Sequence, residues 1–304
     1  MTAAASLMPP LVALLLAPLL LGIVNRIKAT IAGRRGQPLL QPYFDVAKAL
    51  RRGAVYGAAT SWVFRLGPVV NLAALIAALL IMPFGGIAAP VQFGGDLIVF
   101  AGLLALGRFV TVIAALDTGS SFEGMGASRE AHFAALAEPA LFVALATLAR
   151  VTNAVSLTPI YQGLDIAAWT AALPALALVG MTLLILELVE NTRIPVDDPT
   201  THLELTMIHE VMVLDHSGPD FAAIQYAAAL KLWLIGSLLV GLTVPVRSGN
   251  PWLDGSATLF GMTALGIVVG MIESTMARYR LAQIPQIVVG AATLSAVAFI
   301  VNLV

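Results

Sequence analysis

The chain contains no cysteine. Disulfides, thiolate-held iron–sulfur clusters and thiol nucleophiles are therefore excluded within it, though not in a partner. Charge is scarce too, at 11% of 304 residues. A soluble domain carries roughly twice that share to cover its surface, so a soluble enzyme is excluded. Strand-like alternation of polar and apolar residues is missing, which rejects a membrane β-barrel. Gly124 and Gly126 lack both the preceding strand and the Lys-Ser/Thr pair of a phosphate loop. A net charge of −1 gives no reason to expect nucleic acid as a partner.

What the chain does have is apolar residue content, 59% of the total, recurring in runs along its whole length. About 20 apolar residues cross a hydrocarbon core of about 30 Å. On that basis residues 1–304 read as one all-α integral membrane domain of about eight spans, near 7–25, 66–87, 97–116, 133–152, 168–189, 221–245, 257–277 and 284–303. Leu7 to Val24 has no basic region before it, and Arg26 and Lys28 follow it. That layout reads as a first span rather than a cleaved signal.

The basic residues set the orientation. Arg26, Lys28, Arg34, Arg35, Lys48, Arg51, Arg52, Arg65, Arg129, Arg193, Arg278 and Arg280 all fall in or beside the loops after spans 1, 3, 5 and 7. The opposite side holds only Arg150 and Arg247. By the positive-inside rule the first group faces the cytoplasm, which puts both termini on the outer, periplasmic side of the inner membrane. Two inside loops are long, 26–65 and 190–220, and a third, glycine-rich, covers 117–132. In the first, Gln41 to Arg52 reads as an amphipathic helix. Tyr43, Phe44, Ala47 and Leu50 take one face; Asp45, Lys48 and Arg52 take the other. Such a helix either lies on lipid headgroups or floors a cavity beneath a partner.

Ionisable groups inside the spans are the strongest pointers to function, since each costs at least about 2.5–3.5 kcal/mol at a helix centre. These are Arg108, Glu138 and Lys231, with Glu187, Glu190 and Glu273 at inner span ends. Glu187 and Glu190, three residues apart, share a helical face and suit a proton relay. Arg108 and Glu138 are expected to form an ion pair that fixes helix register. Pro195 should end the fifth span. Thr201 with Glu204 forms a capping box that would restart a helix carrying His202, His209 and His216 at seven-residue spacing. That spacing covers about 10.5 Å of helix, too far for two ligands of one metal. His209-Glu210 also lacks the second histidine of a zinc protease, position 213 being Val213.

Several loop segments resemble a known family. Leu40-Gln41-Pro42 with Asp45 and Lys48 is similar to the amphipathic helix of the complex I membrane subunit beneath the quinone cavity. Gly126-Ala127-Ser128-Arg129-Glu130 is similar to its second inside loop, and Glu190-Asn191-Thr192-Arg193-Ile194-Pro195-Val196-Asp197 to its Glu-Thr-Asn-Arg-Ala-Pro-Phe-Asp signature. The run from Asp197-Asp198 through His202, Glu204, His209 and Glu210, together with Asp117 to Phe122, looks like the hydrogenase branch of that family: the membrane-bound group 4 [NiFe]-hydrogenases, including formate hydrogenlyase. Glu123 departs from the glycine usual there and adds a carboxyl near the entrance.

The resemblance implies a membrane anchor that conducts protons. It implies a peripheral arm of hydrogenase large and small subunits and a ferredoxin-like iron–sulfur subunit, which would hold the [NiFe] centre and clusters. Antiporter-like membrane subunits are implied alongside. Arg108, Glu138, Glu187, Glu190, Lys231 and Glu273 would form the proton path. Arg193, Asp197, Asp198, His202, Glu204, His209, Glu210, Glu123, Arg129 and Glu130 would lie at the arm junction. Two readings compete with it: a quinone-site subunit of NADH:quinone oxidoreductase, and a passive membrane scaffold. A stand-alone transporter would show paired, broken helices in two halves, and no such repeat is visible.

Overall fold

A computed structural model describes residues 6–197 and 207–303. Among the described residues eight helices are long and apolar enough to span a membrane. They are α1 (Met8–Ile31), α3 (Trp62–Ile81), α4 (Asp96–Asp117), α5 (Ser121–Thr152), α8 (Leu173–Glu190), α9 (Gly218–Thr243), α10 (Pro251–Thr275) and α11 (Ile284–Val301). Three shorter helices accompany them: α2 (Gln41–Leu50), α6 (Leu157–Gly163) and α7 (Ile166–Ala171). No strand occurs among the described residues, as the missing alternation requires.

α9 is the central helix. In its most apolar 18-residue stretch 72% of residues are buried, against 28–50% in the other spans. It packs on α1, α2, α3, α8 and α10, while α11 closes the far side against α5 and α8. Where spans approach closely, small residues allow it. Gly266 and Gly270 of α10 sit directly against Leu20, Ile23, Val24 and Ile27 of α1, leaving no room for a side chain.

Loops after alternate spans gather at the same end and bond to one another. At one end Ser61 donates from its amide (2.6 Å) and hydroxyl (2.8 Å) to Asp117, Val55 N donates to Ser217 Oγ, and Arg278 donates to Asp197. At the other, Gly95 N donates to Val155 O. There too, Arg247 donates to the carbonyls of Tyr161, Gly241, Val244 and Val246, while Arg150 reaches Asn302 O. Arg247 and Arg150 thus finish helix C-termini, whose last carbonyls lack partners of their own.

Several boundaries differ from expectation. Residues 117–132 are not a loop: α5 begins at Ser121 and runs for 32 residues, about 48 Å. That exceeds the roughly 30 Å a span needs, and its first turns pack on the segment around residues 207–213. There Gly126 meets Ile208 O, Val211 and Met212, and Arg129 donates to Met207 O at 2.7 Å. The second span starts at 62 and ends at 81, the fifth starts only at 173, after α6 and α7, and the seventh starts at 251. Thr201, Glu204 and His202 lie outside the described residues. From 207 to 217 only one 3-10 turn forms, Glu210–Val213, so His209 and His216 do not share a helix face.

The amphipathic helix forms as α2, and both readings of it have a counterpart. Phe44 and Leu50 turn outward, each 58% exposed. Asp45, expected among the outward polar residues, instead turns half-buried toward the bundle and accepts from Gln41 Nε2 at 2.8 Å. There it lines a cavity.

Candidate functional site

The charges buried within the spans converge on Arg108 of α4. Its Nη1 stands 2.9 Å from Glu138 Oε1, its Nε 3.3 Å from Glu130 Oε1, and its Nη2 bonds Glu190 Oε2. Lys231 Nζ lies 2.9 Å from the same Glu190 oxygen. Two cations, from α4 and α9, therefore serve three carboxylates from α5 and α8. The side chains of Arg108 and Glu190 are 7% and 8% exposed, but Glu138 is 37% exposed on the flank of α5. The expected Arg108–Glu138 pair is present as part of this larger cluster. Glu130, assigned to the arm-junction loop by resemblance, belongs here because α5 continues through it.

Glu187 behaves differently from its neighbour one turn away. It is fully buried, and neither carboxyl oxygen has a hydrogen-bond partner among the described residues. Glu273 also stays apart from the Arg108 cluster. It lies 2.6 Å from Lys28 Nζ of α1 and 3.4 Å from Arg193 Nη1 in the loop after α8. That loop is pinned further by Asp197, which accepts from Arg278 (2.7 Å) and Ile208 N (2.9 Å), and by Tyr279 N donating to Pro195 O (2.9 Å). Glu123, in the first turn of α5, is buried and accepts from Asp215 N at 3.0 Å. Asp198, His202 and Glu204 lie outside the described residues.

A cavity of about 370 Å³ opens between α1, α2, α9 and the loop after α8. Asp45, Asn191, Arg193, His209, Glu210 and Gln225 supply its polar wall; Leu21, Val46, Phe221 and Ile224 supply apolar wall. Asn191 Oδ1, Arg193 Nε, His209 Nδ1 and Gln225 Oε1 are buried without hydrogen-bond partners among the described residues. Such groups call for water or a polar ligand, and the space holds on the order of ten waters. Burial pushes the Glu210 carboxyl above its ordinary range. A crevice of about 30 Å³, room for about one water, continues from His209 to Arg108, Glu130 and Lys231. Asn25, Gln37 and Gln225 of this wall carry no signal in the sequence, being single amides in apolar or loop surroundings.

His216 is stacked on Phe64, with ring centroids 3.9 Å apart and planes 5° apart. Burial pulls its imidazole down to about 4, so it is neutral at pH 7. No grouping of three or more His, Asp or Glu able to hold a metal occurs among the described residues. The chain has no thiolate to offer a cluster or a nickel–iron centre.

Eight apolar spans enclosing a charged cluster and a polar cavity at one end define a multi-pass helical membrane protein built around buried ionisable groups. The chain belongs to the NADH dehydrogenase family, whose pattern it matches over residues 4–304. It is 31% identical to formate hydrogenlyase subunit 4 of Escherichia coli (strain K12) over 287 residues, covering 92% of each chain. It is 31% identical to hydrogenase-4 component C of the same strain, covering 88% of this chain and 85% of that protein. A subunit of the NADH-quinone oxidoreductase of Verminephrobacter eiseniae (strain EF01-2) is 29% identical, covering 81% of this chain and 72% of that one. Among solved structures, a chain of the membrane-bound sulfane sulfur reductase, an archaeal respiratory membrane complex, superposes with a TM-score of 0.82 at 19% identity over 98% of both chains. That likeness establishes the fold.

Proposed function

We propose that this protein is the membrane anchor and proton-conducting subunit of a membrane-bound [NiFe]-hydrogenase complex. The observation that carries the reading is the Arg108 cluster. It ties three carboxylates of α5 and α8 and the Lys231 ammonium of α9 into one network within the spans, and it reaches the flank of the bundle at Glu138. An ionisable group 37% exposed within a span is costly against lipid. A neighbouring membrane subunit, of the antiporter-like kind, satisfies it. The route runs from the cavity, past His209 and the one-water crevice, to Glu190 and Lys231, and along Arg108 to Glu138. The Glu273 node with Lys28 and Arg193 braces its entrance.

The end bearing loops 26–65 and 190–220 faces the cytoplasm and receives the peripheral arm. Hydrogenase large and small subunits and an iron–sulfur subunit bring the [NiFe] centre and clusters. This chain supplies no ligand to them and moves no electrons; both its termini lie on the outer side of the inner membrane. Support comes from the two hydrogenase-branch relatives, which match over a larger share of the chain than the NADH-quinone oxidoreductase relative does.

The test is Glu138→Gln in the purified complex reconstituted in vesicles. Proton translocation is expected to be lost while hydrogen evolution with an artificial donor persists. Full translocation in that variant makes the cluster a packing device and the chain a passive scaffold. The cavity beneath α2 favours a second reading, the quinone-site subunit of an NADH:quinone oxidoreductase. Quinone-dependent turnover of a complex free of nickel selects it.

A further inference from the structure

The glutamates buried around the Arg108 cluster and the inner end of α10 are claimed by cations. Glu190 takes both Arg108 and Lys231; Glu130 takes Arg108; Glu273 takes Lys28 and Arg193. The buried aspartates at the outer span ends, Asp96 and Asp254, accept hydrogen bonds instead. Glu187 alone has both carboxyl oxygens buried with neither a cation nor a hydrogen bond on them among the described residues. Asn191, one turn along, donates to the Glu187 backbone carbonyl at 2.8 Å and stands beside the carboxyl. The carboxyl instead rests against α9 at Gly236, where a Cβ would stand 3.5 Å from Oε1 and would also meet Leu265 and Met262. On that side it faces the bare backbone of Gly236 beside Leu265 and Met262.

An isolated carboxylate in such a place costs far more than a neutral acid. Yet the spacing puts it beside a reactive pair. Glu187 and Glu190 lie three residues apart on α8, and Lys231 acts on both carboxyls while bonding only Glu190. The second cation that acts on Glu187, Arg193, is bonded to Glu273. Asn191, whose Oδ1 has no partner among the described residues, lines the cavity one turn from Glu187.

We propose that Glu187, not Glu190, is the group that stores and releases the proton, and that Lys231 is the counter-ion that swings between the two. With Glu187 neutral, Lys231 sits on Glu190, as observed. When the Glu187 proton passes to Glu190, its O–H bond breaks and a new one forms on Glu190. Lys231 then moves to the Glu187 carboxylate, and the total charge is unchanged. Arg108, which holds both Glu190 and Glu138, directs the proton outward. A proton entering from bulk solvent through the cavity waters restores the Glu187 acid past Asn191, and Lys231 returns to Glu190. Gly236 supplies the bare wall against which the neutral acid rests. The inference rests on the proton-conducting reading and names its exchanging group.

The test uses the whole complex. Infrared difference spectra in H₂O and D₂O report the C=O stretch of a protonated carboxylic acid. Wild type should show a band with an isotope shift, lost in Glu187→Gln and displaced in Glu187→Asp. In vesicles Glu187→Gln should drop translocation to the leak of protein-free vesicles, with Glu187→Asp recovering part of it. A band that persists in Glu187→Gln, or full translocation by that variant, overturns the proposal. If Glu187→Gln fails to assemble, the Asp variant decides, an unmoved band counting against it. Loss of translocation in Glu138→Gln alongside full translocation in Glu187→Gln rejects this inference but keeps the broader function. A wild type that moves no protons rejects the function itself.

Discussion

Arg108 Nη1 meets Glu138 Oε1 at 2.9 Å through a guanidinium that also serves Glu130 and Glu190. Three carboxylates share one rigid fork, a geometry that suits arginine and no other side chain. Arg108→Leu would leave Glu130 without its cation and Glu190 with Lys231 alone. Removing one partner of a buried charge cluster costs about 3–5 kcal/mol. The variant is expected to lower the unfolding midpoint of the detergent-solubilised protein sharply. Arg108→Lys should recover only a minor part, because one ammonium cannot reach three acceptors. Equal midpoints for Lys and Arg at this position would mean the fork is irrelevant.

Lys231 makes one ion pair among the described residues, to Glu190. Lys231→Met leaves Glu190 still bonded to Arg108, so a smaller loss of stability is expected than for Arg108→Leu. Translocation should nevertheless fall strongly, since the mobile counter-ion is gone. Comparing the two variants in midpoint and in vesicle proton uptake separates packing from transport. A Lys231→Met protein that pumps at the wild-type rate rules out a transport role for this ammonium.

Glu273 joins α10 to α1 through Lys28 and to the loop after α8 through Arg193. Glu273→Gln would leave two cations facing a neutral amide, at a cost of about 3 kcal/mol. The loosening should be local. Faster amide hydrogen exchange is expected in residues 191–197 and at the Lys28 end of α1, with the opposite end of the bundle unaffected. Uniform acceleration through all spans would contradict a local brace.

The eight spans and the Arg108–Glu138 pair were legible because each rests on a local signal. Twenty apolar residues can do little else in a chain this poor in charge, and a charge inside such a run must find an opposite. Less visible was the first third of α5. Its glycines and polar residues look like a loop, and only contact with Ile208, Val211 and Met212 makes them helical. The Glu130 contact with Arg108 was hidden for the same reason, since it forms only if the helix continues. The Glu273–Lys28 pair joins residues 245 positions apart, and no periodicity announces it. Nor does the isolation of Glu187, which depends on where every cation around it went.

His216 predicts a pH dependence. Its folded value, about 4, lies below the ordinary 6.5 because burial disfavours the imidazolium. Between those values the unfolded chain binds more protons than the folded one, so stability rises with pH across that window. The contribution is complete above about pH 6.5 and disappears as pH falls to about 4. His216→Phe keeps the stacking on Phe64 without titrating. The midpoint difference between pH 7 and pH 5 should be smaller in that variant than in wild type. Identical differences would show that another group sets the acid sensitivity.

The cavity allows the two competing functions to be told apart. Val46 of α2 and Ile224 of α9 line its apolar wall, while Asn191, His209 and Glu210 stand on the polar side. Ile224→Phe adds bulk to the apolar wall without touching an ionisable group, so the Arg108 cluster is preserved. Overpacking at one wall costs about 1–3 kcal/mol, which a large bundle tolerates. If the cavity serves as a water-filled proton antechamber, a thinner water file should slow translocation in part, with hydrogen evolution from an artificial donor unchanged. If it holds a quinone, the apparent affinity for added quinone should weaken instead, and turnover should become limited by quinone concentration. The same substitution thus moves one readout or the other, because water tolerates a narrower space and a ring-and-tail ligand does not.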